Sequence, residues 1–89
     1  MTKSDLVDAV ASKTGITKKD TARMVDAVFE TIKEELGRGS KVQIIGFGSF
    51  EVKAREARVG RNPKTMEEIR IPARNVPVFR AGKELRDSV

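Results

Sequence analysis

Eighty-nine residues with a formal net charge of +5, 35% charged side chains and no Cys, His, Trp or Tyr describe one small basic domain. Without Cys or His there is no disulfide and no thiolate or imidazole metal site, so no metal or cofactor is expected. The acid, base and nucleophile repertoire shrinks to carboxylates, Lys, Ser and Thr, and an enzyme is not expected.

A domain this short buries a modest fraction of its surface, and with neither disulfide nor metal the remaining staple is oligomerisation. Lys3, Asp5 and Asp8 interrupt any apolar run near Met1, and no stretch approaches the roughly twenty apolar residues of a membrane span. The expectation is a soluble cytoplasmic protein with no membrane partner.

Thr2 and Asp5 have the spacing of a capping box, and Leu6, Val7, Val10 and Ala11 then recur at helical spacing until Gly15. Thr17 and Asp20 repeat the box and open a longer helix with the stripe Ala22, Val25, Val28, Phe29, Ile32 and Leu36, which Gly37 and Gly39 stop. The pair reads as a helical hairpin. Its second helix is apolar along its stripe and nearly neutral, so packing accounts for it better than DNA reading by a helix-turn-helix.

After Ser40 the period drops to two. Val42 and Ile44, then Phe47, Phe50 and Val52, read as two strands bent around Gly46 and Gly48, whose spacing predicts positive φ or a close backbone approach. Lys53 onward is polar, up to a turn at Arg61-Asn62-Pro63-Lys64-Thr65. Ile69 and Ile71 then alternate with Glu68 and Arg70, which predicts a two-stranded ribbon reaching roughly 33 Å. Pro72 and Pro77 fit an edge strand, Phe79 returns the chain to the core, and a short helix follows over Lys83 to Ser88 with Leu85 and Val89 facing inward.

The charge is unevenly placed. Residues 1–52 carry eight cations against eight anions, whereas 53–74 carry Lys53, Arg55, Arg58, Arg61, Lys64, Arg70 and Arg74 against Glu56, Glu67 and Glu68. A cationic ribbon of this kind follows phosphates, with a salt-dependent affinity set by the number of contacts. Pro63 at its tip has two readings: a ring that stiffens the turn, or a rigid apolar wedge between base pairs. Asn62 beside it suits the degenerate edge pattern of the minor groove, which carries little sequence information.

Gly46-Phe47-Gly48-Ser49-Phe50, then Arg55, Arg58, Gly60, Asn62-Pro63 and Thr65, closely resemble the signature of the bacterial histone-like HU proteins and integration host factor. The resemblance continues through Ile71-Pro72, Val76-Pro77 and Gly82-Lys83 and covers essentially the whole chain. It implies an α+β fold and an intertwined homodimer: a helical base over 1–39, a three-stranded antiparallel sheet over 40–52 and 75–80, a protruding β-arm over 53–74 and a C-terminal helix over 81–89. The arms embrace double-stranded DNA through the minor groove, with Pro63 as the intercalating wedge. HU and integration host factor are themselves type cases of such wedging, whose unstacking cost is about a few kcal/mol per step.

By the same resemblance Arg61, Asn62 and Lys64 belong to the tip, and Lys53, Arg55, Arg58 and Arg74 to contacts along the arm. Lys3 and Lys83 are candidates for phosphate contacts on the body, and Phe29, Ile32, Phe47, Phe50 and Phe79 form the dimer core. Glu84 departs from the small residue expected after Lys83 and weakens the case for contacts to flanking DNA.

The implied function is architectural: DNA bending and condensation of the bacterial chromosome with little sequence preference, in the nucleoid. An HU-like homodimer is favoured over a subunit of an integration-host-factor-like site-specific heterodimer, because the chain ends at Val89 without an extended tail. Two other classes compete. A module that adds a strand to another protein's sheet would depend only modestly on salt. Structured RNA recognised by shape is a possible further partner, although exposed aromatics for base stacking are few.

Overall fold

The computed structural model describes residues 1–89 in the order α1 (Lys3–Thr14), α2 (Lys18–Gly37), β1 (Val42–Ile44), β2 (Gly48–Arg55), β3 (Arg58–Arg61), β4 (Glu68–Ile71), β5 (Arg74–Ala81) and α3 (Lys83–Asp87). The chain divides into two compact units, Met1–Glu34 and Glu35–Val89. No helix is long and apolar enough to cross a membrane.

In the first unit the capping box of α1 closes in both directions. The Asp5 N–H donates to Thr2 Oγ1 at 3.3 Å, and the Thr2 N–H donates to Asp5 Oδ2 at 3.0 Å. A Thr cap contributes about 1 kcal/mol. Gly15, at φ 72°, ends the helix. The second box is only half formed: the Asp20 N–H reaches Thr17 Oγ1 at 3.2 Å, without the reciprocal bond from Thr17 to the Asp20 carboxylate. Lys3–Asp26 at 2.7 Å and Lys18–Asp8 at 3.4 Å tie the two helices together across their exposed faces.

The buried side chains are Val7 and Ala11 of α1 and Thr21 and Val25 of α2, a core too small to stabilise a free-standing domain of this length. Thr21, 2% exposed, leaves its hydroxyl without a hydrogen-bond partner, at a cost of about 1–3 kcal/mol. The apolar stripe of α2 does not all point into this core. Val25 is buried and Ala22 and Ile32 are half-buried, but Val28 and Phe29 remain 54% and 49% exposed, because nothing in the chain covers them.

The second unit holds a three-stranded antiparallel sheet of order β1-β2-β5. β2 is central, so Pro77 lies on the edge strand β5, opposite Val52. Residues 45–47 form the turn between β1 and β2, and Phe47 lies in this turn, not in a strand. Gly46 is there because the backbone needs φ +84°. Gly48 is there for space: a Cβ would stand 2.7 Å from the Phe79 ring and closer still to the Arg80 carbonyl oxygen.

Register divides the sheet into two faces. Phe50 opposes Phe79 and Val42, and Val52 opposes Pro77, which makes one face apolar. The three rings cluster there, with centroids 4.9 Å apart for Phe50 and Phe79 and 5.4 Å for Phe47 and Phe79. This cluster is open: Phe47 and Phe79 are 45% and 42% exposed. After a break at 56–57 and 72–73 the chain resumes as the β3-β4 ribbon, Arg58 opposite Ile71 and Arg61 opposite Glu68. α3 follows its N-cap residue Gly82, and Leu85 is half-buried. Val89 does not face inward; it is fully exposed.

Candidate nucleic-acid interface

The second face of the sheet carries its charge, with Val76 and Val78 of β5 between the arginines. Antiparallel register puts Lys53, Arg55, Arg74 and Arg80 on it together with Ser49 and Glu51. Arg55 stands directly opposite Arg74, and like charges so placed destabilise a ladder by about 0.2–1 kcal/mol unless an anion lies between them. Below the pair, Arg55, Glu56, Arg58, Ile71, Pro72 and Arg74 line an open concavity of about 370 Å³ at the root of the ribbon.

Every cation of this segment is available. Lys53, Arg55, Arg58, Arg61, Lys64, Arg70 and Arg74 are all exposed, and none joins the chain's four ion pairs. Four cations elsewhere are engaged, Lys3, Lys18, Arg38 and Lys41, the last pairing with Glu51 at 3.3 Å. That lysine, with lesser help from Arg80 and the Ser49 hydroxyl, holds the Glu51 carboxyl below its ordinary range against the opposing effect of burial.

The ribbon's two faces differ. Arg58, Gly60, Ile69 and Ile71 share one, and Val59, Arg61, Glu68 and Arg70 the other. The arginines at every third position therefore fall on opposite faces, as their spacing requires.

The tip is a tied loop. The Asn62 N–H donates to the Glu67 carbonyl at 2.9 Å, the Met66 N–H to the Asn62 carbonyl at 2.7 Å, and the Lys64 N–H to Asn62 Oδ1 at 2.9 Å. Asn62 thus closes the turn through backbone and side chain, and its amide NH2 stays free to donate. Pro63 is exposed at the apex. Met66 takes φ 61°, the left-handed region, without being glycine.

The sequence-predicted DNA-binding residues, Lys3 excepted, thus all lie on the second unit, whereas Phe29 and Ile32 of the predicted dimer core lie in the first. Lys53, Arg55 and Arg74 share the sheet face, Arg58 lies at the root of the ribbon, and Arg61, Asn62, Pro63 and Lys64 lie at or beside the tip. Lys83 is exposed and unpaired at the start of α3. Lys3 belongs to the first unit and is already paired with Asp26. Phe29, Phe47 and Phe79 present open apolar surface, with Ile32 and Phe50 half-buried. Arg80 was not anticipated, although stepping by two from Arg74 finds it on the same face, and Arg70 joins Arg61 by the same rule.

Comparisons with known proteins agree with this layout. The family described as Bacterial DNA-binding protein matches residues 1–89. The chain is 56% identical over 89 residues to the DNA-binding protein HU of Geobacillus stearothermophilus, covering 100% of this chain and 99% of that one. It is 57% identical, with the same coverage, to the DNA-binding protein HU of Staphylococcus aureus. Among solved structures, an Anabaena HU-DNA cocrystal structure superposes with a TM-score of 0.93 at 52% identity, covering 99% of this chain and 96% of that one. HU from Thermotoga maritima superposes at 0.72 with 40% identity, covering 99% and 97%. With its full length matched and its cationic arm and open aromatic face in place, the chain belongs to the bacterial DNA-binding protein family that includes HU.

Proposed function

We propose that this chain is an architectural protein of the HU type that binds double-stranded DNA with little sequence preference, bends it and condenses the bacterial chromosome in the nucleoid. The observation that carries the reading is the set of seven exposed cations between Lys53 and Arg74, none with an ion partner in its own chain. Membership in a DNA-binding family supports it.

Arg55, Arg74, Lys53 and Arg80 neutralise phosphates from the sheet face, and Arg58, Arg61 and Lys64 continue the track to the tip. Because Asn62 Oδ1 is committed to the turn, its free NH2 donates to the purine N3 and pyrimidine O2 acceptors of the minor groove. Pro63, held rigid by that turn, wedges into a base step. Lys3 contributes only if DNA displaces Asp26, whereas Lys83 is free to act at once.

The working unit is a homodimer. Phe29 and Ile32 of the first unit, and Phe47, Phe50 and Phe79 of the second, pack against a second copy, and the arms of both chains then grip one duplex. Residues 1–39 supply the dimer base, 40–52 and 75–80 the saddle, 53–74 the arm and 81–89 the closing helix. A site-specific heterodimer has less support, since the relatives at 56% and 57% identity carry the HU name.

The test compares Pro63→Ala with the parent on one short duplex, recording affinity across a salt series and end-to-end distance by fluorescence transfer. Bending falls in the variant while the salt slope holds, because no charge is changed. Unchanged bending would exclude Pro63 as the wedge. A structured RNA competitor in the same titration reports on the RNA alternative.

A further inference from the structure

We infer that Met66 is a second apolar contact of the arm tip, lodging in the minor groove beside Pro63; this rests on the DNA-binding reading above. Met66 is the one non-glycine residue of the chain with positive φ, at 61°. A side chain in that region crowds the backbone, and glycine would relieve it. The strain is not offset by burial, since Met66 is 64% exposed.

The turn fixes where the side chain is offered. The bond from the Asn62 N–H to the Glu67 carbonyl closes the loop at its base, and Met66 is locked to the Asn62 carbonyl at 2.7 Å. What projects is Pro63-Lys64-Thr65-Met66: an apolar group at each end with a cation and a hydroxyl between them. A surface that receives Pro63 therefore meets Met66 on the other limb of the same loop.

Methionine suits that place chemically. Its unbranched, polarisable thioether adapts to irregular apolar walls, such as the sugar C–H groups of a minor groove opened by a wedge. A strained backbone that gains no burial within its own chain is the pattern of a contact made with something outside it.

Two variants of the full chain separate side chain from backbone. Met66→Asn tolerates the left-handed conformation but removes the apolar group, whereas Met66→Leu keeps the apolar group and the strain. On a short duplex, Met66→Asn is expected to bind about tenfold more weakly and to bend less, with an unchanged salt slope and a melting temperature no lower than the parent's. Met66→Leu is expected to stay within about twofold of the parent. The inference is overturned if Met66→Asn binds and bends like the parent, or if Met66→Leu loses as much as Met66→Asn. A parent protein that ignores the duplex sinks the DNA reading itself and this inference with it, an outcome separate from a parent that binds and a Met66→Asn variant that matches it.

Discussion

Replacing Phe79 by Ala separates a chain that stands alone from one whose apolar face is covered by a second copy. Phe79 centres the aromatic cluster, touching both Phe50 and Phe47, yet is 42% exposed in the single chain. Of a side chain of roughly 200 Å², about 80 Å² is left open, and at about 25 cal/mol per Å² its burial is worth about 2 kcal/mol per chain. A symmetric dimer counts it twice, so Phe79→Ala removes about 4 kcal/mol of association, a weakening of roughly several-hundredfold. Urea unfolding across a roughly hundredfold range of protein concentration, with sedimentation equilibrium alongside, reads this directly. The parent midpoint rises with concentration, and the variant dissociates where the parent does not. A parent midpoint that ignores concentration, or a variant that associates as tightly as the parent, refutes the reasoning.

Gly48→Ala places a methyl group against the Phe79 ring and the Arg80 carbonyl, so urea unfolding should show a loss of about 1–3 kcal/mol from overpacking. Arg55→Gln removes one phosphate contact from each arm of the dimer and lowers the slope of log affinity against log salt by about 1.8, measured by fluorescence anisotropy on duplex DNA; an unchanged slope means that Arg55 does not touch phosphate. The Asp5 carboxyl, accepting first from the Thr2 N–H and then from its hydroxyl, titrates below its ordinary value of 3.8. A depressed folded-state pKa means that this stabilisation is complete above about pH 5 and is lost as the pH falls through the lowered value. In an NMR titration Thr2→Ala, which removes the hydroxyl but keeps the backbone N–H that does most of the lowering, should raise Asp5 only part of the way toward the ordinary range while Glu51, held down by Lys41 instead, stays low.

Local signals were the readable part of the sequence. Thr2, Asp5 and Gly15 bounded α1 because caps are settled by neighbours three or four residues away. Gly46 and Gly48 announced positive φ or close approach, and the fold uses one of each. What periodicity could not supply was the identity of whatever covers an apolar stripe: Val25 is buried while Val28 and Phe29, on the same stripe, stay open. Helical spacing reports that a face avoids water and says nothing about whether its partner is the same chain.

At the interface, composition located the charge, but only register sorted it into faces. Arg80 sits six residues beyond the arm's last cation in sequence and on the same face in space. The left-handed turn at Met66 was hidden for a related reason. Its cause lies in the bond to Asn62 across the loop, and Met at that position carries none of the usual marks of a positive φ.

The edges of the sheet bear on how the protein withstands crowding. A three-stranded sheet offers two open edges, and an open edge is a template on which strands from other molecules stack into fibrils. Here one edge, β1, is three residues long. The other, β5, is interrupted by Pro77, which supplies no N–H for a growing ladder, and is flanked by Arg74 and Arg80, whose charges repel an identical strand laid alongside. A basic protein packed side by side along a polyanion at high local concentration can thus stay unaggregated by the build of its own sheet.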